Sequence, residues 1–276
     1  MNKLFYLIMM FYCSMIFSCE SLEEIPADGA KPGINEVSIT ETPDIGQKEN
    51  TATVLIPGRG ATPIMNQNRR SNSTDPDWDT TVLDTAKDAY YLSRIEKSVI
   101  LEMNKARTNP KKYAEMYIQP ELRYYNGKLY QRPNRTRIQT YEGAKALEDC
   151  IAALSNMEPV PLLMPELGLS LGARDLAYEQ ERTGQTGHDG SDGSTPFTRI
   201  RRYGGGYIEA AENLYYGAER AREVVVQLLI DDGTPSKGHR ANILNKDFSQ
   251  AGVSFDSHPN YETVCVITFA RGYVSN

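Results

Sequence analysis

The chain has 276 residues, of which 40% are hydrophobic and 24% charged, with 30 Lys and Arg against 36 Asp and Glu. That length suffices for a sizeable core without covalent staples. The acidic balance, and the lack of any basic patch interleaved with aromatic residues, argue against a nucleic-acid partner.

The chain opens MNKLFYLIMMFYCSMIFSCES. Lys3 supplies a positive start, and the apolar run from Leu4 to Phe17 is about 14 residues long, whereas a bilayer span needs about 20. The run therefore reads as the apolar region of an export signal. It ends in Ser18-Cys19, a small residue before Cys, which resembles a bacterial lipobox. On that reading residues 1–18 are removed and Cys19 becomes the lipidated terminus, anchoring the protein to a membrane. Glu20, Glu23 and Glu24 follow and resemble the surface-export signal of Bacteroidetes lipoproteins. The expected address is the cell envelope, as an outer-membrane lipoprotein facing outward. Loss of residues 1–18 removes Lys3 alone among the charges, leaving 29 basic against 36 acidic residues.

Residues 19–87 are expected to form a flexible tether, being rich in Pro, Gly, Thr, Asn and acids with almost no hydrophobic periodicity. Asn72 and Asn134 begin glycosylation-type triplets that read as chance in such a protein. From residue 88 a single domain running to residue 276 is expected. Tyr91, Ile95, Val99 and Met103 recur every fourth residue and predict a helix to Arg107. Asn109-Pro110 interrupts it, and residues 111–118 restart a short helix. Further helices are predicted over 144–154, 167–182 and 218–229, with a turn at 240–244. Strands are predicted over 250–255 and 263–270, joined by His258-Pro259-Asn260 as a hairpin-type connection with His258 exposed. Cys150 and Cys265 read as two buried free thiols. Gly204-Gly205-Gly206 lacks the Lys-Ser/Thr of a phosphate loop and reads as a turn. Asp189 and Asp192 lack the spaced acids of a calcium loop.

The chemistry gathers in three segments: GQTGHDGSDGSTPFTR (184–199), AAENLYYG (210–217) and DDGTPSKGHRANILN (231–245). The chain has three histidines, and two of them, His188 and His239, lie here with Glu212, Asp231 and Asp232. Two imidazoles with carboxylates suit either a divalent metal or acid–base work. The spacing matches no local metal motif, so folding must assemble any site.

The order and wording of these segments resemble the CAP superfamily, also called SCP-like: cysteine-rich secretory proteins, insect antigen 5 and plant pathogenesis-related proteins. The likeness rests on His188 with the DGSTPF run, on Glu212-Asn213, and on Gly238-His239-Arg240-Ala241-Asn242-Ile243-Leu244 followed by Phe248 and Gly252-Val253. Met103–Ile118 resembles the family's first helix. The resemblance implies an α+β fold, a three-layer α-β-α sandwich with a small antiparallel sheet and an open cleft. It also implies a cleft tetrad of His188, Glu212, Asp232 and His239, with Asp231 beside Asp232 as the other candidate for the second acid. Ala211 and Leu229 depart from the Gly and Trp usual in the family.

Three readings of the tetrad stand open. It holds a divalent metal, zinc above all, through His188, His239 and Glu212. It is a metal-free hydrogen-bonded network. Or it performs hydrolysis, with Ser191 or Ser236 as nucleophile or with metal-bound water. The expected function is a ligand-binding module for a small molecule, lipid or peptide, the alternative being a metal-assisted hydrolase of peptidase type in the same cleft.

Overall fold

The structure, a computed structural model, describes residues 77–133 and 137–276. The expected leader, Cys19, most of the expected tether, and Asn72 and Asn134 lie outside the described residues.

Residues 77–87, expected as the end of the tether, are part of the packed domain. Asp79 caps a single helical turn, Thr80–Leu83, by accepting from the Thr81 amide. Trp78, Leu83 and Ala86 lie in the main core. The Trp78 indole donates to the Tyr117 hydroxyl at 2.9 Å and stacks on that ring. A single aromatic anchor without periodicity leaves no pattern for a sequence reading to find.

Helix α1, Arg94–Thr108, starts later than expected because Ser93 and Glu96 form a capping box that sets its first turn. Val99, Ile100, Met103 and Ala106 make its buried stripe. Asn109 ends it and caps the next turn, Pro110–Tyr113, where proline at the first position loses no hydrogen bond. Helices α2 (Ala144–Ser155) and α3 (Leu167–Thr183) follow. α3 stops at Gly184, whose left-handed φ of 68° turns the chain away. Then come α4 (Pro196–Arg201), α5 (Ala221–Ile230) and α6 (Gly238–Leu244). The last of these was expected only as a turn.

Four strands make the main sheet: β1 (Met164–Pro165), β2 (Glu209–Tyr216), β3 (Gln250–His258) and β4 (Glu262–Arg271). Their order is β1-β3-β4-β2; β3 and β2 both pair antiparallel with β4, and β1 runs parallel to β3. On β4, Cys265, Ile267 and Phe269 join the main core with α1 and α5. Val264 and Val266 pack instead with Ala173, Leu176 and Ala177 of α3. The sheet is thus covered on both faces, which explains why β4 reads as an unbroken apolar run. The result is the expected α+β fold in three layers: α1 and α5, the sheet, then α3. β3 brings α3 close. A Cβ on Gly252 would fall 2.2 Å from the Leu169 carbonyl carbon and the Ser170 nitrogen, so only glycine lets the helix backbone rest on the strand.

Strand β2 is the edge of this sheet, and both halves of the candidate site hang from it.

Candidate functional site

His188 lies in the loop between α3 and α4, and Glu212 lies on β2. The imidazole Nδ1 meets Glu212 Oε1 at 2.9 Å. Arg199, on α4, brings Nη2 to both Glu212 oxygens, at 3.0 and 2.9 Å. The Arg199 and Glu212 side chains are each 1% exposed and His188 is 17% exposed. Arg199 Nη1 also donates to the carbonyls of His188 (2.8 Å) and Ser194 (3.0 Å). One guanidinium therefore neutralises the carboxylate and holds the loop that carries the histidine. Such charge-assisted bonds are roughly twice as strong as neutral ones. With a carboxylate accepting at Nδ1, a neutral His188 carries its proton there and presents Nε2 as the lone-pair nitrogen.

The second pair is built from the end of α5. Asp231 occupies the helix C-cap with φ 54° and ψ 46°, a left-handed conformation that Asp tolerates better than most residues. Its Oδ1 accepts from His239 Nδ1 at 2.7 Å. Its Oδ2 accepts the backbone amides of His239 (2.9 Å) and Arg240 (3.2 Å), so the same carboxylate caps α6. Burial pushes the Asp231 carboxyl up, but the His239 ring, the Thr234 hydroxyl and the Arg240 amide outweigh it and hold it below its ordinary value.

Asp232 takes no part in this pair. Its oxygens accept the amides of Tyr141 and Glu142, both at 2.8 Å, and burial leaves its carboxyl above the ordinary value. Of the two candidates for the second acid, the one beside His239 is therefore Asp231 and not Asp232, which the sequence had put first. The reason is the left-handed turn at Asp231, which aims the two successive side chains at different segments, a direction that sequence proximity does not encode.

The two pairs are tied to consecutive residues of one strand. Asn213, next to Glu212, donates Nδ2 to the His239 carbonyl at 3.0 Å and accepts from Asn242 Nδ2 at 2.8 Å. Successive side chains on a strand point to opposite faces. Glu212 therefore faces α4 and the His188 loop, and Asn213 faces α6. Arg199, Asn213 and Asn242 were not assigned to the site from sequence. The signal that marks them is position: Arg199 closes the DGSTPFTR run, and both Asn residues lie inside the family-like segments.

Zinc held by His188, His239 and Glu212 does not fit the side chains as they stand. Among the described residues, no three or more His, Cys, Asp or Glu side chains gather in a group that suits a metal ion. Imidazoles backed by carboxylates at Nδ1 are compatible with ligation through Nε2; what is missing is a further donor. Glu212, expected to supply it, has both oxygens on a guanidinium whose charge repels a second cation.

His258, expected as exposed, is 2% exposed. It ends β3 against the rings of Tyr216 and Tyr261. Ser191 lies in the His188 loop and donates its amide to Glu179 at 2.6 Å. Ser236 lies in the exposed turn before α6. Asp192 accepts from Ser194, which with Arg202 holds its carboxyl down at about 2. Gly204–Gly205 pairs with Val274–Ser275 as a small two-stranded sheet. Cys150 and Cys265 are buried free thiols, and burial pushes the Cys150 thiol up to about 11. Leu229 is fully buried, and its carbonyl accepts from Arg240 Nε at 2.5 Å.

Residues 102–269 match the cysteine-rich secretory protein family, CAP. That span covers more than half of the chain and both His–carboxylate pairs, and the chain belongs to this family. An uncharacterised protein of Bacillus subtilis, YkwD, is 30% identical over 125 residues, which are 44% of this chain and 46% of that protein. The chain thus spans about half the length of the relative it matches. Among solved structures, an outer surface protein from Borrelia burgdorferi is 23% identical, with a TM-score of 0.36 over 41% of this chain and 80% of its own. An extracellular SCP-domain protein from Bacillus anthracis is 24% identical, with a TM-score of 0.35 over 41% of this chain and 34% of its own.

Proposed function

We propose that this CAP domain is a ligand-binding module of a bacterial cell envelope, lipid-anchored through Cys19, whose ligand docks at the β2 edge against His188 and His239. The observation that carries the reading is the paired arrangement: each imidazole has Nδ1 held by a buried carboxylate, and both pairs are fixed to consecutive residues of one strand. Two oriented imidazoles offer a small-molecule, lipid or peptide ligand fixed polar contacts. Satisfied networks of this kind rigidify a binding surface. The envelope address rests on the apolar leader ending in Ser18-Cys19, and the acidic residues after Cys19 support outward export. A divalent metal enters this reading only if Glu212 leaves Arg199, so a metal-assisted hydrolase stands second.

The test is mass spectrometry of the intact protein purified from its own membrane, beside a His188→Ala/His239→Ala variant. A co-purifying ligand that the variant loses supports the reading. Retention by the variant removes the histidines from recognition. Chelator-sensitive turnover of peptide or ester libraries would put the hydrolase in its place. In the same preparation Cys19→Ala is expected to shift the protein from the membrane to the soluble fraction; unchanged membrane partition would sink the anchor.

A further inference from the structure

We propose that Gln180, Tyr216 and His258 form a lock outside the two His–carboxylate pairs that positions His188. The inference rests on the reading of His188 as a recognition residue, and it adds three positioning residues to it. The backbone of Gly187, immediately before His188, is gripped at both of its polar groups. Its amide donates to the Tyr216 hydroxyl at 3.0 Å, and its carbonyl accepts from Gln180 Nε2 at 2.7 Å. The Tyr216 hydroxyl in turn donates to Gln180 Oε1 at 3.0 Å, which closes the ring of bonds. Gly187 has φ 100°, a conformation open to glycine and strained for other residues.

Two residues further back, the Gln185 carbonyl accepts from His258 Nε2 at 2.9 Å. His258 Nδ1 accepts the Asn260 amide at 3.2 Å, so this ring carries its proton on Nε2. Its edge lies on Tyr216, with ring centres 5.3 Å apart. Gln180, Tyr216 and His258 are all buried, and they come from α3, β2 and β3. Tyr216 lies four residues after Glu212 on β2, on the same strand face. One strand therefore supplies both the carboxylate that orients the His188 ring and the hydroxyl that anchors its backbone. Buried polar groups whose partners are all supplied lose heavily when one partner is removed, so the loop has one favoured position.

The opposite tautomers make this testable, because the chain has only three histidines. The whole chain carrying 15N-labelled histidine is observed by NMR at about pH 8.5, above the ordinary imidazole value of about 6.5. Each ring is assigned by its own His→Gln variant. In the wild type, His188 is expected as the Nδ1–H form and His258 as the Nε2–H form. Tyr216→Phe keeps the ring and removes the hydroxyl. It is expected to collapse the separated nitrogen shifts of His188 toward a tautomer average while His239 keeps its own. His258→Leu is expected to do the same, and His258→Gln, whose amide still donates to Gln185, to restore the signature. Ile100→Ala, on α1 in the main core and outside the cluster that holds Tyr216, serves as the control for lost stability alone. The proposal is overturned if His188 keeps its signature in both Tyr216→Phe and His258→Leu, or if Ile100→Ala disturbs it equally. Should Tyr216→Phe fail to fold, the contrast between Leu and Gln at position 258 decides. The readout needs no ligand, so failure of the lock and failure of the binding reading are separate results.

Discussion

Arg199 and Glu212 are sealed from water together, and that fixes what each is worth. A buried pair gains its energy only while both partners stay, because an ion left alone keeps its full desolvation penalty. Arg199→Met is therefore expected to destabilise the protein by about 3–5 kcal/mol, read as a lower midpoint in urea unfolding. Adding Glu212→Leu to it is expected to recover most of that loss, since the stranded carboxylate disappears. A double variant no more stable than Arg199→Met would show that the pair acts through its packing instead. At this scale the sequence singled out His188, Glu212 and His239, because histidines are rare here and stand out, and the structure sets each of the two imidazoles against a carboxylate. It put Asp232 first and left Asp231 open as the second acid, because adjacent carboxylates are indistinguishable until backbone dihedrals assign each a direction. It passed over Arg199, because a guanidinium's partners are set by folding, and its place at the end of the DGSTPFTR run does not say which carboxylate it meets.

Element ends were readable where capping chemistry is local. Gly184 after α3 is an example, since the residue that stops a helix is its chain neighbour; α4, which starts at Pro196 after Thr195, was not among the predicted helices. Strand β2 was not readable. Its segment AAENLYY shows no clean alternation because Glu212 and Asn213 are buried polar residues committed to α4 and α6. Strand propensity reflects packing against neighbours, which here are distant in sequence. Close approach between elements makes a sharper prediction. Gly252→Ala sets a methyl group against the α3 backbone at Leu169 and Ser170. It is expected to destabilise by about 1–3 kcal/mol, as overpacking does, with a matching fall in the thermal midpoint. An unchanged midpoint would mean that α3 lifts from the sheet freely.

For the molecule as a whole, the first described residues are tied to the core by Trp78, the chain's single tryptophan. It stacks near Tyr113 and Tyr117, with Lys112 Nζ 4.7 Å from its ring centre. Mild proteolysis is expected to leave a fragment that retains Trp78, and its fluorescence should change in the same unfolding transition as the helical circular dichroism signal. Fluorescence already at the solvent-exposed maximum in the folded protein, or cutting between residues 78 and 88, would place this segment outside the domain.

The sequence by itself determined the family, the α+β class and the principal helices, and it drew attention to the two histidines. These depend on local periodicity, on capping residues and on rare side chains in a fixed order, all of which lie along the chain. Only the tertiary structure decided that Asp231 rather than Asp232 faces His239, that Arg199 neutralises Glu212, that β2 edges the sheet and that His258 is buried. Each of these depends on the direction of a backbone turn, or on which distant segment reaches a given atom first. Both are properties of the packed chain, where a single left-handed residue re-aims a carboxylate and one strand brings residues 24 positions apart, His188 and Glu212, within hydrogen-bonding distance.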